Sequence, residues 1–267
     1  MRTLAAALLA LCALLSPERG AAAPADGYAD RVGFDQHLDR RVPAELAFRD
    51  ENGRATRLDD YLGLAPVGLV FSYYGCSNLC PTVIGNLAAR LARTSGATAN
   101  KVQVVVVSID PLDSPALAAL AKRKYLRGLV AGGAERWHFL SGAQPDIARL
   151  ADAVGFRYAY DEASHQYAHP AGFALLTPDG RIARYFFGFD FSAEELAHAI
   201  DEAGARRIAS PIQRLLQICF HYDPVSGRYS AVITAALQGL SIVLLVGTFA
   251  LVGRTRWRAR RSASPGR

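Results

Sequence analysis

Cys76 and Cys80 are separated by three residues and followed at once by Pro81. Upstream, Val67-Gly68-Leu69-Val70-Phe71 is a short apolar run of the kind that forms a fully buried strand. Downstream, Val83, Ile84, Leu87, Ala88 and Leu91 recur at helical spacing, so a packed helix follows. If that helix is already wound between the cysteines, both sulfurs lie on one face, one turn apart. The N–H groups and positive dipole end at a helix start favour thiolate over thiol. Two thiolates at one end of a sheet support two chemistries: binding of a soft metal, or cycling through a disulfide.

The candidate partners for the cysteines are the six histidines, His37, His138, His165, His169, His198 and His221. His138 falls inside an apolar strand and His198 on the last helix, so both read as structural, while His37 belongs to a polar arm. His165 and His169 lie in the polar stretch 158–170, which enters a hairpin. A thioredoxin-like fold returns its chain there, beside the redox helix, and Pro170 fits that placement. His169, nearest the strand, is the better ligand candidate. The only methionine is Met1, so a metal site here has thiolate and imidazole to work with and no thioether. Cys219-x-His221 is a second thiolate–imidazole pair, and packing of Cys219 in the amphipathic stretch 212–220 is the favoured reading. Asp110 and Asp113 follow a buried strand; orienting a ligand, attracting a cationic partner and capping the next helix are all open to them.

The elements that must position these groups alternate. Residues 28–42 are polar and mixed, an arm wrapping the domain. Residues 46–54 read as a short hairpin with an Asn-Gly turn, and 58–62 as a helical turn. Val102–Ile109 is too β-branched to prefer a helix and forms a second buried strand. Ser114-Pro115 opens a helix to about Leu126, with Ser as cap and Pro in the first position. Trp137–Leu140 is a third strand and Gln144–Val154 a third helix. Residues 171–177 and 181–187 pair around a Pro178-Asp179-Gly180 turn, and Ser192-Ala-Glu-Glu195 is a capping box opening a helix to about Ala203. Strands joined by helices and closed by a hairpin give an α/β domain, a mixed sheet covered on both faces.

Both ends of the 267-residue chain carry other signals. Met1-Arg2 and the apolar run 4–15 have the form of a secretory signal peptide over residues 1–25, which would remove Cys12 and deliver the rest to an oxidising compartment. Tyr229–Gly253 holds no charged residue, long enough to span a bilayer, and 230–253 is the predicted transmembrane helix, reached through a juxtamembrane linker over 206–229. The tail 254–267 contains six arginines and no acidic residue; positive charge beside a span marks the cytoplasmic side. It accounts for the whole net charge of +6, so the basic balance reports topology rather than nucleic-acid binding. Three cysteines in the mature chain do not make a disulfide scaffold.

Four separated blocks together resemble the Sco/SenC family of copper-binding, thioredoxin-fold proteins that serve cytochrome c oxidase assembly. They are Cys76-x-x-x-Cys80-Pro81, Ser108-Ile109-Asp110-Pro111-Leu112-Asp113-Ser114-Pro115, Tyr167-Ala168-His169, and Pro178-Asp179-Gly180 with Arg184-Tyr185-Phe186-Phe187-Gly188. The resemblance covers roughly 30–205, within a thioredoxin-like domain assigned to 26–205. It implies that Cys76, Cys80 and His169 are copper ligands, for Cu(I) or Cu(II), a soft donor set suited to the metal. It also implies a copper metallochaperone held at the cytoplasmic membrane of a bacterium. Its domain would face the periplasmic side and deliver copper to cytochrome c oxidase subunit II or another acceptor. The C-terminal anchor resembles a bacterial subgroup, more familiar members being anchored at the N-terminus, and Ser77-Asn78-Leu79 lacks the acidic residue common between the cysteines. The alternative is a thiol–disulfide reductase keeping the acceptor's cysteines reduced, with Cys76 attacking and Cys80 resolving. Against it, dedicated thioredoxin-type enzymes use a Cys-x-x-Cys spacing, one residue shorter. A thiol-peroxidase motif is absent, since Tyr73 and Ser77 stand where its Pro and Thr would precede Cys80.

Overall fold

A computed structural model describes residues 31–76, 79–94, 101–127, 133–209, 222–223, 228–229, 239, 241–242, 244–248 and 252–254. The chain divides into two compact units, Met1–Ala209 and Ser210–Arg267.

In the first unit a seven-stranded sheet is built on three parallel strands, β4 (Val67–Ser72), β5 (Gln103–Ser108) and β6 (Trp137–Gly142). They pair in register, Leu69 opposite Val105 and Val105 opposite His138. β4 is buried along its whole length and β5 from Val104 onward. That is why these segments read as continuous apolar runs rather than alternating ones: helices cover both faces of a parallel sheet. The closing hairpin, β10 (Gly172–Leu176) and β11 (Ile182–Phe187), adds antiparallel to β4. On the other side β2 (Ala47–Arg49) pairs with β6 and carries β3 (Ala55–Arg57) at the edge.

Two apolar layers sandwich this sheet. On one face, helices α1 (Leu79–Arg93), α2 (Pro115–Tyr125) and α4 (Ala193–Gly204) bury Ile84, Leu87, Ala118, Leu196 and Ile200 against Val70, Val106, Phe139 and Phe173. On the other, helix α3 (Gln144–Val154) sets Ile147, Leu150 and Val154 against Leu69, Phe71, Val105 and Leu140. Cys76 and Cys80 belong to this second layer although α1 packs on the first. The helix therefore starts at the sheet's end, with its first turn facing across it.

Local signals set the element ends. Ser114 Oγ accepts the Leu117 N–H at 3.3 Å and Pro115 occupies the first position of α2. Ser192 Oγ accepts the Glu195 N–H at 3.0 Å, but the reciprocal half of the expected capping box is replaced, because the Glu195 carboxylate pairs with Arg184 on β11. Helix α3 stops at Gly155, whose φ of 71° is left-handed and whose absent Cβ would sit 1.9 Å from the Asp35 carbonyl. Asp35 N–H donates to the Gly155 carbonyl at 2.7 Å, and β1 (Gly33–Phe34) pairs antiparallel with β7 (Phe156–Arg157). The N-terminal arm is thus latched to the domain, as expected.

Three expectations are corrected. The short hairpin expected over 46–54 forms, but it extends to Arg57 and its turn is wider than Asn52-Gly53 alone. The strands flank a longer turn organised by the Asp50 carboxylate, whose Oδ1 accepts the N–H groups of Asn52 and Arg54, both at 2.9 Å. The stretch 158–170 is not a plain loop: β8 (Ala159–Asp161) and β9 (Gln166–Ala168) form a second hairpin, Tyr160 opposite Tyr167. Finally, α1 begins at Leu79, so Cys76 precedes the helix instead of lying one helical turn before Cys80 within it.

The expected signal peptide over 1–25 lies outside the described residues, as do Cys219 and His221 and most of the expected span 230–253. In the second unit β12 (Tyr222–Asp223) pairs with β13 (Arg228–Tyr229), and the described residues from 239 to 254 are helical. Among the described residues no helix is long and apolar enough to cross a membrane.

Candidate metal centre

Strand β4 ends at Ser72 and the chain turns at once, Cys76 N–H donating to the Tyr73 carbonyl at 3.1 Å. This turn hands Cys76 to the mouth of α1, where its Sγ accepts the backbone N–H of Cys80 at 3.4 Å. The sulfur therefore takes the place of a capping oxygen, satisfying a first-turn N–H that has no partner within the helix. Both cysteines are buried and carry free thiols.

The third group arrives from the hairpin that the sequence reading took for a loop. His169 follows β9 directly, and its Nε2 lies 3.3 Å from Cys80 Sγ. Its Nδ1 lies 3.0 Å from the Pro170 carbonyl, which as an acceptor holds the proton on Nδ1 and leaves the Nε2 lone pair aimed at the sulfurs. The ligand atoms of Cys76, Cys80 and His169 all fall within 4.8 Å of one another. A three-coordinate ion with bonds of about 2.0–2.3 Å and angles of roughly 120° needs its donors about 3.8–4.0 Å apart. The observed set is at the scale a single ion requires. Two thiolates and one imidazole suit Cu(I), and imidazole suits both copper states.

Aromatic walls keep the site dry on its inner side. The Tyr73 ring meets His169 edge-on at 5.9 Å, and Phe156, itself stacked on Phe71 at 4.5 Å, lies 6.1 Å from the same imidazole. Tyr167 packs against Tyr73 at 5.5 Å and Tyr160 at 5.0 Å. Gly75 is exposed and His169 only half-buried, so the outer side remains open. The Cys80 thiol is pushed far above its ordinary range by its hydrogen bond to Cys76 and then by burial. Burial, followed by the neighbouring Cys76, likewise raises Tyr73 and keeps its hydroxyl protonated.

The other described histidines are elsewhere. His138 Nε2 pairs with Gln103 Oε1 at 3.0 Å under the Tyr61 ring, and burial lowers its pKa. His198 sits beside Glu202 at 3.3 Å on the exposed face of α4. His37 anchors the arm through its N–H to Tyr185 Oη at 3.0 Å. His165 occupies the hairpin tip with a φ of 54°, its Nδ1 3.3 Å from Tyr160 Oη. Of the two loop histidines only His169 reaches the sulfurs.

Asp110 and Asp113 divide the support of the site between them, while Ser114 does the helix capping. Asp110 Oδ1 accepts the Leu112 N–H at 2.9 Å and faces Tyr167 Oη at 3.5 Å. Asp113 Oδ2 accepts the Tyr74 N–H at 2.7 Å. Sequence reasoning missed the Tyr73 and Phe156 walls, because aromatic residues at strand positions read simply as core.

The comparisons agree with this geometry. The family model described as SCO1/SenC matches residues 35–204. A proposed copper-binding protein of Stutzerimonas stutzeri is 23% identical over 148 residues, 54% of this chain and 68% of that protein. A solved structure of a proposed electron transfer protein from Aquifex aeolicus VF5 superposes with a TM-score of 0.55 at 22% identity, covering 63% of this chain and 95% of that one. BsSco superposes with a TM-score of 0.51 at 20% identity, over 65% of this chain and 98% of its own. It is described as a member of the Sco family of cytochrome c oxidase assembly proteins in which a disulfide switch was identified. The shared architecture is the thioredoxin-like fold, and with the family match running from the N-terminal arm to the end of α4, this chain belongs to the SCO1/SenC family.

Proposed function

We propose that the protein is a copper metallochaperone whose cargo is held by Cys76, Cys80 and His169. The observation that carries this reading is the convergence of two sulfurs and one ring nitrogen within 4.8 Å. They come from segments 89 residues apart in the chain, brought together by the pairing of β10 with β4, and a plain dithiol protein has no need of that imidazole. Three donors leave coordination room, and the exposed Gly75 turn leaves an approach for incoming ligands. Copper then passes by ligand exchange, an acceptor's donors binding before the sulfurs let go, with no free ion released. The acceptor we infer is the binuclear copper centre of cytochrome c oxidase subunit II, a reading supported by family membership and by the description of BsSco.

We further propose that residues 1–25 direct export, 230–253 anchor the chain in the cytoplasmic membrane, and 254–267 stay in the cytoplasm. The charge-free run 229–253 and the six arginines after it support this topology, and so does the outward exposure of Ile242, Leu244, Leu245 and Val246. Protease treatment of spheroplasts tests it: the metal domain should be digested and the arginine tail protected.

A second reading, a thiol–disulfide reductase for the acceptor's cysteines, is favoured by the closeness of Cys76 and Cys80, whose sulfur atoms lie within 4.8 Å of each other. The experiment that separates the two gives the purified full-length protein one equivalent of Cu(I) and presents it with a reduced acceptor domain. Metal transfer without thiol oxidation supports the chaperone. Failure to bind copper, with reduction of an oxidised acceptor, supports the reductase.

A further inference from the structure

Asp113 is 9% exposed and lies on the loop between β5 and α2, away from the three sulfur and nitrogen donors. One of its oxygens, Oδ2, receives two short hydrogen bonds, from Tyr74 N–H at 2.7 Å and from Ser108 Oγ at 2.5 Å. Tyr74 belongs to the turn that delivers Cys76. Its ring is tied down separately, the hydroxyl donating to the Leu140 carbonyl of β6 at 2.7 Å. The ring bond fixes where the Tyr74 side chain goes but does not hold the peptide between Tyr73 and Tyr74, whose carbonyl accepts the Cys76 N–H and whose own N–H goes to Asp113. The Asp113 carboxylate holds the N–H side of this peptide, since a buried N–H that turned away from it would lose its acceptor. The next two links are covalent geometry and the Cys76 N–H bond to the Tyr73 carbonyl at 3.1 Å. The direction in which Cys76 Sγ points is thus set, four residues from the metal donor pair's other half, by a carboxylate that never touches the ion.

We infer that Asp113 is the positioning residue for Cys76: by holding the Tyr74 N–H it fixes the sulfur–sulfur distance of the site. This rests on the copper reading above for its main readout, but the geometry it governs is also readable without copper. Asp113→Asn keeps an oxygen where Oδ2 stands and retains both bonds. Asp113→Ala removes the acceptor. Asp113→Glu keeps the charge but moves the oxygens by one methylene.

The test measures Cu(I) affinity by competition with a chromogenic chelator, together with the thiolate-to-Cu(II) absorption band, on full-length protein whose fold and melting temperature are followed by circular dichroism. The expected result for Asp113→Ala is a loss of about 10- to 100-fold in affinity, the scale on which supporting contacts act, with a displaced band and Asp113→Asn close to wild type. If Asp113→Ala does not fold, Asp113→Glu decides, and it should weaken binding and displace the band. A folded variant of either kind with wild-type affinity and spectrum overturns the inference. So does a loss that merely follows the unfolded fraction while the bound remainder keeps the wild-type band. The copper-free readout is the rate at which Cys76 and Cys80 close into a disulfide with one equivalent of an aromatic disulfide. That reagent takes up the two electrons and two protons as two free thiols. Slower closure in Asp113→Ala upholds the positioning role even if the wild type binds no copper, which would sink the carrier reading alone. Unchanged closure contradicts it.

Discussion

His169 Nε2 and Cys80 Sγ lie 3.3 Å apart, across a sequence separation of 89 residues. The contact exists because β10 returns antiparallel to β4, the strand that feeds the cysteine turn, and because the β8–β9 hairpin ends directly at His169. His169→Ala removes one donor and a ring that is only half-buried, at the edge of the Tyr73 and Phe156 walls. Its melting curve should stay near wild type, while copper affinity falls by more than the roughly 10- to 100-fold that losing a supporting contact costs. Thermal unfolding and competitive titration check both halves.

The two thiols are unequal, with the Cys80 proton held by its bond to Cys76 and by burial. Cys76 instead receives the Cys80 N–H. Limited alkylation of reduced protein near about pH 8, where an ordinary thiol is partly ionised, should mark Cys76 ahead of Cys80 in peptide mass spectra. Labelling of Cys80 first would reverse the order of attack proposed for any disulfide step.

Gly155 ends α3 in a left-handed conformation with the Asp35 carbonyl where a Cβ would go. Gly155→Ala meets both an unfavourable φ and a backbone clash, and should cost more than about 1 kcal/mol of stability. Because Asp35 and β1 latch the arm there, denaturant unfolding should show the loss together with faster proteolysis of residues 31–35.

Glu51 accepts from Lys122 Nζ at 2.5 Å and from the Phe139 N–H at 3.0 Å, at the junction of the β2–β3 turn with β6. Burial pushes its carboxyl up, but these two bonds together outweigh it and hold the group below 4.5. A depressed folded value means the stabilisation is present above about pH 4.5 and lost as pH falls through the folded pKa. Glu51→Gln keeps an acceptor for Phe139 but not the charge opposite Lys122. It should destabilise by about 1–2 kcal/mol at neutral pH, with the difference from wild type shrinking below pH 4.5. A pH series of urea midpoints measures it; a difference that grows in acid would contradict the sign.

Much of the fold is visible in the chain because its sheet is parallel. Runs such as Val104–Val107 have no polar alternation to confuse them, and Ser114-Pro115 and Ser192 mark helix starts by their own hydrogen bonds. The pairing of β2 with β6 is not visible, since two- and three-residue edge strands carry too little pattern. The β8–β9 hairpin was hidden by polar residues at its tip, though the Tyr158, Tyr160 and Tyr167 repeat is a strand signal. In the site, the cysteine spacing and His169 were legible. The clamp from Asp113 to Tyr74 was not, because a side chain accepting a backbone N–H 39 residues away leaves no local trace.

The central claim is that one ion is held by two sulfurs from the cysteine turn and one nitrogen from His169. X-ray absorption at the copper edge of the Cu(I)-loaded full-length protein tests it most directly. The account predicts two sulfur neighbours and one imidazole nitrogen, with the imidazole signal lost in His169→Ala. A sulfur-only shell that His169→Ala leaves unchanged, or a reduced wild-type protein that retains no copper, would contradict it.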